Sequence, residues 1–214
     1  AKMRTCEGEE REFWDKRQLV KKINLNSLYG AILNPGCRFF DHRIGQSTTL
    51  TGRAIAKHMS AKVNELLTGE YDHTGDCIVY GDTDSVYFSA WPVIKDDVES
   101  GKMEWGKEQC IQLYDQLGEA VNETFPSFME TAFHTTRKHG EIMAGAREVV
   151  ALKGLFITKK RYAALVIDNE GQRFDIDGKL GKMKAMGLDL KRSDTPLVMQ
   201  EFMSSLLMDV LTGS

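Results

Sequence analysis

Tyr80-Gly81-Asp82-Thr83-Asp84-Ser85-Val86-Tyr87 sets two carboxylates one residue apart in a tight turn between two short apolar runs. The first run is Cys77-Ile78-Val79-Tyr80 and the second is Val86-Tyr87-Phe88. Both are rich in β-branched and aromatic residues, with Gly and Asp as turn formers between them, so the stretch predicts a β-hairpin. If pairing resumes by Asp84, the two-residue period of a strand puts Asp84 on the face of Val86 and Phe88. Asp82 joins it there if it too is extended. Two hard oxygen donors on one rigid hairpin suit Mg²⁺, which takes one or two protein carboxylates and fills its octahedron with water and substrate phosphates. A D-x-D pair taken alone is also ordinary turn chemistry, because Asp bonds nearby backbone N–H groups. An EF-hand does not fit, since the stretch lacks the glycine and the acidic ligand that such a loop carries at its sixth and twelfth positions.

The rest of the chain decides between these readings. Its 214 residues, 42% hydrophobic and 28% charged, are enough for one large domain or two small ones with a real core. No run approaches the roughly eighteen apolar residues that span a membrane, and Ala1-Lys2-Met3-Arg4-Thr5-Cys6-Glu7 is not a signal peptide. A cytoplasmic location without membrane partners is therefore expected. Cys6, Cys37, Cys77 and Cys110 lie far apart with no C-x-x-C pair, which argues for reduced core residues rather than a zinc site or disulfide framework. The net charge of −3 does not advertise a polyanion partner, but its distribution does: residues 151–192 carry ten Lys or Arg against five Asp or Glu. Residues 1–150 carry eighteen against twenty-three. Basic residues on a hairpin are equally consistent with a solvated face.

Periodicity and punctuation predict a first helix from about Glu10 through Tyr29, stopping at Gly30, and a second from Ser47 or Thr48 to Leu67 with Gly69 as its cap. The hairpin follows. A third helix is expected from about Glu104 to Glu123, with Phe125-Pro126-Ser127 opening another short piece. Beyond Arg147 the pattern turns to strands at 149–152, 155–158 and 162–167, with a turn at Asp168-Asn169-Glu170-Gly171 leading into Gln172-Arg173-Phe174. Thr195-Pro196 opens a last helix whose apolar stripe is Val198, Phe202, Leu206 and Val210. Helices, hairpin, helices and strands in that order indicate an α+β fold, helices packed on an antiparallel sheet.

A second constellation precedes the hairpin. In Lys21-Lys22-Ile23-Asn24-Leu25-Asn26-Ser27-Leu28-Tyr29-Gly30, helical spacing places Lys22, Asn26 and Tyr29 on one face. A cation, an amide and an aromatic ring on one face suit a nucleotide, although the same residues also make an ordinary wet helix face.

Taken together, the K-x-x-x-N-S-x-Y-G pattern and the later Y-G-D-T-D-S resemble motifs B and C of the family B DNA polymerases. Thr158-Lys159-Lys160-Arg161-Tyr162 resembles that family's K-K-R-Y primer-grip motif. Gly36-Cys37-Arg38-Phe39-Phe40-Asp41 and Lys184-Ala185-Met186-Gly187-Leu188-Asp189 are most similar to its members from T-even-type bacteriophages. The resemblance implies a polymerase palm, with residues 1–34 as the last helix of the fingers, 35–192 as palm and 193–214 as the start of a thumb. It implies that Asp84, with Asp82 beside it, holds the catalytic Mg²⁺ pair. It further implies that Lys22, Asn26 and Tyr29 face the incoming dNTP, and that Lys159, Lys160, Arg161, Tyr162 and Lys184 contact primer–template DNA. Glu148 matches an acidic position near the metal site only thinly, and Asp189 stands where much of the family has Glu.

The implied reaction is templated addition of dNTPs to a primer 3′-hydroxyl by two-metal phosphoryl transfer. The family's motif A strand, D-x-x-S-L-Y-P-S, has no counterpart in these residues. The expectation is a portion of a longer polymerase, or the C-terminal chain of a split one, that needs an N-terminal segment or separate subunit for the first aspartate and is inactive alone. The competing class is a non-catalytic palm-like module that binds DNA or a subunit, and a third is a nucleotide-binding α+β protein unrelated to polymerases. Retention of Asp82, Asp84 and Lys22 speaks against the first of these, and Lys159-Lys160-Arg161-Tyr162 against the second.

Overall fold

The structure, a computed structural model, describes residues 6–188, 190 and 194–213. Asp189 and the 192–193 boundary expected between palm and thumb lie outside the described residues. The fold is α+β, and the chain divides into two compact units, residues 1–55 and 56–214.

The first unit contains helix α1, Gly8–Ile32, and the start of α2, His42–Thr68. Helix α1 carries Glu9 and Glu10 in its first turn, where carboxylates favour the positive end of the helix dipole, and none of its residues is buried. It runs two residues past the expected stop at Gly30, because that glycine keeps a negative φ and continues the helix. Helix α2 begins five residues before Ser47. Asp41 accepts the Arg43 backbone N–H at 2.9 Å, a side-chain cap, while the Ser47 and Thr48 hydroxyls bond back to the carbonyls of Arg43 and Ile44 inside the helix. The Arg43 guanidinium, hydrogen-bonded to the same carboxylate, brings the Asp41 pKa down to about 2. Gly45 is needed where the chain returns: a Cβ there would lie 1.9 Å from a Leu33 methyl carbon.

The second unit is built on two antiparallel hairpins. The first pairs β1, Ile78–Asp82, with β2, Ser85–Phe88. The second pairs β3, Val149–Thr158, with β4, Arg161–Asn169, through a two-residue turn, Lys159-Lys160. The expected strands at 149–152 and 155–158 are one strand, because Gly154 keeps its place opposite Ala164 and does not interrupt the ladder. Strand β4 is the centre of this sheet and is buried from Tyr162 to Asp168. On its other edge it pairs with β5, Gln172–Arg173, and with β6, Lys182–Met186.

Helices cover these sheets. A helix absent from the sequence expectation, α3, spans Trp91–Glu99 with Pro92 in its first turn. Helix α4, Lys107–Phe133, passes through Pro126 instead of breaking at Glu123 and ends at His134, whose φ is 54°. The short α5, Arg137–Gly140, follows it, and the buried Gly140 lies so close that a Cβ would be 2.9 Å from the Pro126 Cα. Leu117, Val121 and Phe125 are the buried stripe of α4. The second half of α2 contributes Ala61, Val63 and the buried polar residues His58 and Asn64. Lys107 and Glu108 of α4 pair with Asp175 and Arg173, tying the segment after β5 to that helix.

Helix α6, Leu197–Thr212, has Pro196 rather than Thr195 at its N-cap. Leu207, Met208 and Leu211 of α6 pack on Ala163, Leu165, Met183 and Ala185 of the sheet. Its expected stripe of Val198, Phe202, Leu206 and Val210 is exposed. Of the four cysteines, all free, only Cys77 is fully buried. Among the described residues no helix is long and apolar enough to cross a membrane.

Candidate active site

The two hairpins meet through an aromatic cluster. Tyr80 pairs across the first hairpin with Tyr87, and Phe156 across the second with Tyr162. Cross-strand partners share a face, so each hairpin offers a pair of rings. The four rings pack with every centroid separation between 5.3 and 5.9 Å, which is the range of favourable aromatic contact. The hydroxyls of Tyr87 and Tyr162 are 3.0 Å apart, and the Lys160 backbone N–H donates to the Tyr80 hydroxyl at 2.7 Å. The opposite face of the first hairpin rests on α4, where Phe88 meets Tyr114 edge-on at 5.0 Å.

This packing determines where the acidic pair points. Asp82 opposes Ser85, two residues along from the Tyr80–Tyr87 pair, so the strand period puts Asp82 on the aromatic face, towards the second hairpin. The expectation that it shares a face with Val86 does not hold. Pairing resumes at Ser85, which leaves Thr83 and Asp84 as the two turn residues, with Asp84 exposed. Asp82 is half-buried, and its Oδ1 accepts the Thr83 N–H at 2.9 Å and the Thr83 hydroxyl at 3.2 Å. The backbone hydrogen bond is the main reason that its pKa lies below the ordinary carboxylate value, with the charges of Lys160 and Lys159 adding to the effect.

Lys159, Lys160 and Arg161 are exposed at the tip of the second hairpin, and Tyr162 is buried behind them. Lys160 has φ 61°, the left-handed region, which costs an L-residue about 1 kcal/mol. The carbonyl of Lys160 lies against Gly187, just past β6, where an added Cβ would come within 2.0 Å of it. Lys184 on β6 is half-buried and reaches Glu148 Oε1 at 3.0 Å. Burial and the bond to Tyr162 push the Tyr87 phenol above its ordinary pKa, and the Glu148 charge contributes to that rise. Asp82, the basic turn, Tyr162, Lys184 and Glu148 are thus linked around the four rings.

In the first unit, Lys22, Asn26 and Tyr29 are exposed on α1, with the Tyr29 and Thr49 hydroxyls 3.0 Å apart.

Sequence reasoning missed Tyr80, Tyr87 and Phe156 as a unit, and Gly187. The alternation in Lys182-Met183-Lys184-Ala185-Met186 was a legible strand signal. Nothing local in the sequence announces that the hairpins stack.

Among the described residues no group of three or more His, Cys, Asp or Glu is placed to hold a metal ion. The donor set fits Mg²⁺ as a partial site: Asp84 is open to solvent, Asp82 keeps Oδ2 outside its hydrogen bonds with Thr83, and one or two carboxylates are what this ion takes from protein.

Comparison with known proteins supports the polymerase resemblance at the level of the family. The model of DNA polymerase family B matches residues 1–127, and the chain belongs to that family. It is 32% identical over 198 residues to the DNA-directed DNA polymerase of Escherichia phage RB69, a match covering 86% of this chain and 21% of that protein. It is 31% identical over 210 residues to the DNA-directed DNA polymerase of Enterobacteria phage T4, covering 91% and 22%. The DNA polymerase delta catalytic subunit of Oryza sativa subsp. japonica is 28% identical over 204 residues, covering 94% and 15%. The chain spans about a fifth of the length of the phage relatives it matches.

Proposed function

We propose that this chain supplies the motif B and motif C portion of a DNA-directed DNA polymerase: residues 1–34 from the fingers, 35–192 from the palm and 193–214 from the thumb. In this reading it adds dNTPs to a primer 3′-hydroxyl, in the cytoplasm, together with a polymerase segment that brings a further carboxylate. The observation that carries the reading is the stacking of the Asp82–Asp84 hairpin on the Lys159–Lys160 turn through Tyr80, Tyr87, Phe156 and Tyr162.

Asp84 and Asp82 hold the metal in this reading, and bound Mg²⁺ supplies activation of the primer hydroxyl and neutralisation of the leaving pyrophosphate. The residues of the chain position the reactants. Lys22 and Asn26 face the triphosphate, Tyr29 borders the nascent base pair, Lys159, Lys160, Arg161 and Tyr162 contact the primer strand, and Lys184 also contacts DNA. Glu148 holds Lys184 by charge, and the depressed pKa of Asp82 keeps it ionised as a ligand across the neutral range.

The test mixes the chain with a polypeptide carrying the upstream D-x-x-S-L-Y-P segment and follows primer extension in Mg²⁺, with Asp84→Asn as control. Extension by the mixture that Asp84→Asn abolishes is the expected result. Extension that survives Asp84→Asn overturns the metal assignment. Failure of the mixture both to extend and to bind primer–template overturns the polymerase reading.

A further inference from the structure

We propose that Tyr80 is a positioning residue for primer binding, its hydroxyl fixing the backbone of Lys160 and so the turn that presents Lys159 and Lys160 to DNA. The proposal rests on the polymerase reading above and adds to it a residue that touches neither nucleotide nor metal.

Lys160 is the residue with φ 61° in this turn, a conformation that Gly or Asn adopts with less strain. A strained residue persists only where its surroundings over-determine it, and such residues gather at functional sites. Here the turn is held from both sides. Its N–H donates to Tyr80 at 2.7 Å, and its carbonyl occupies the space that Gly187 leaves by having no Cβ.

The Tyr80 ring cannot swing away, because it stacks on Phe156 at 5.5 Å with 28° between the planes and packs on Tyr87 and Tyr162. A phenylalanine would fill that space equally well, so the hydroxyl is not needed for packing; what it engages is the turn amide. With φ at Lys160 fixed, the turn that carries the two exposed lysines is held in one backbone conformation. The DNA therefore meets a turn already ordered, which removes an ordering cost from binding.

The experiment uses the whole chain and a fluorescent primer–template duplex followed by anisotropy, with Tyr80→Phe, Lys160→Ala and the double variant, and amide exchange at Lys160 by NMR. The expected result is that Tyr80→Phe leaves Tm within about 2 °C, speeds exchange of the Lys160 amide and weakens duplex binding about three- to tenfold, the range of one hydrogen bond. The double variant should lose less affinity than the two single losses multiplied, because part of what the Tyr80 hydroxyl secures is the Lys160 side chain. Unchanged binding by Tyr80→Phe overturns the proposal, as do losses that multiply in the double variant. So does a fall in Tm that tracks the fall in affinity, which assigns Tyr80 to packing. Absence of binding both by the unmodified chain and by its mixture with the upstream segment overturns the polymerase reading and this proposal with it, whereas normal binding by that chain and by Tyr80→Phe overturns this proposal alone.

Discussion

The Tyr87 hydroxyl lies 3.0 Å from the Tyr162 hydroxyl, joining β2 to β4 across the stacked hairpins. Tyr162 is 4% exposed, so removing Tyr87's hydroxyl leaves a buried polar group short of a partner. Tyr87→Phe should lower stability by about 1 to 2 kcal/mol, whereas replacing both tyrosines by Phe should cost less than the two single changes together. Urea unfolding of the single and double variants measures this. Strict additivity would show that the two hydroxyls do not act on each other.

Arg147 sits between two carboxylates, reaching Asp115 Oδ1 of α4 at 2.5 Å and Asp168 Oδ1 of β4. The Asp168 side chain is only 3% exposed and also accepts the Gly171 N–H at 3.0 Å, so it closes the turn after β4 as well as pairing with the arginine. Arg147→Met keeps much of the aliphatic packing and leaves a buried carboxylate without its cation, a change that costs about 3 to 5 kcal/mol. Asp115→Asn, at the half-exposed end of the same network, should cost under about 1 kcal/mol. Thermal melts of the two variants should therefore separate clearly.

His58 is buried with both ring nitrogens engaged: Nδ1 lies 2.8 Å from the Tyr71 hydroxyl and Nε2 2.8 Å from Thr124 Oγ1. Because the Thr124 hydroxyl donates to the Val121 carbonyl at 2.7 Å, it accepts from Nε2–H, and Nδ1 then accepts from Tyr71. The ring stacks on Phe128 at 3.9 Å. Burial, with help from Lys62 and against the pull of Glu65, lowers the His58 pKa below the usual histidine value. The unfolded chain therefore binds this proton first as pH falls. Stability from the neutral ring is fully present above the unfolded value of about 6.5 and is lost as pH drops below it towards the folded pKa. Unfolding free energies between pH 8 and pH 5 should fall with a slope of up to about 1.4 kcal/mol per unit from this ring, and His58→Gln should remove that contribution.

Legibility followed locality. The β1–β2 hairpin was readable because its turn formers and its strands lie within a dozen residues. The helices were readable as helices, but their ends were not. Asp41 caps α2 from outside the apolar pattern, Gly30 lacks the positive φ that would end α1, and α4 continues through Pro126. Helix α3 was hidden by Trp91-Pro92, a dipeptide that reads as a break although Pro is well placed in a first helical turn. In the candidate site, Asp82, Asp84 and the basic turn could be named from motif order. The face of Asp82 could not, because it depends on whether pairing resumes at Asp84 or at Ser85. Contacts such as Tyr80 with Lys160 or Arg147 with Asp168 join residues whose local sequence gives no sign of the partner.

Gly187 gives the sharpest test of how the basic turn is held. Its φ is 64°, which glycine adopts freely and alanine only at a cost of about 1 to 2 kcal/mol. The space is also closed, since an alanine Cβ would fall 2.0 Å from the Lys160 carbonyl oxygen and 3.1 Å from Arg161 Cγ. The first of these neighbours is backbone and cannot rotate away, so either β6 separates from β4 or the Lys159–Lys160 turn moves. Gly187→Ala should therefore destabilise the second unit by more than the left-handed backbone cost alone, and it should disturb amide shifts at Lys160 and Arg161 as well as around position 187. Gly178 has φ 76° and nothing within 4 Å of its missing Cβ, so Gly178→Ala should show the backbone cost without the clash. Equal losses for the two alanine variants in urea unfolding would show that Gly187 is required for its backbone angle and not for its closeness to Lys160.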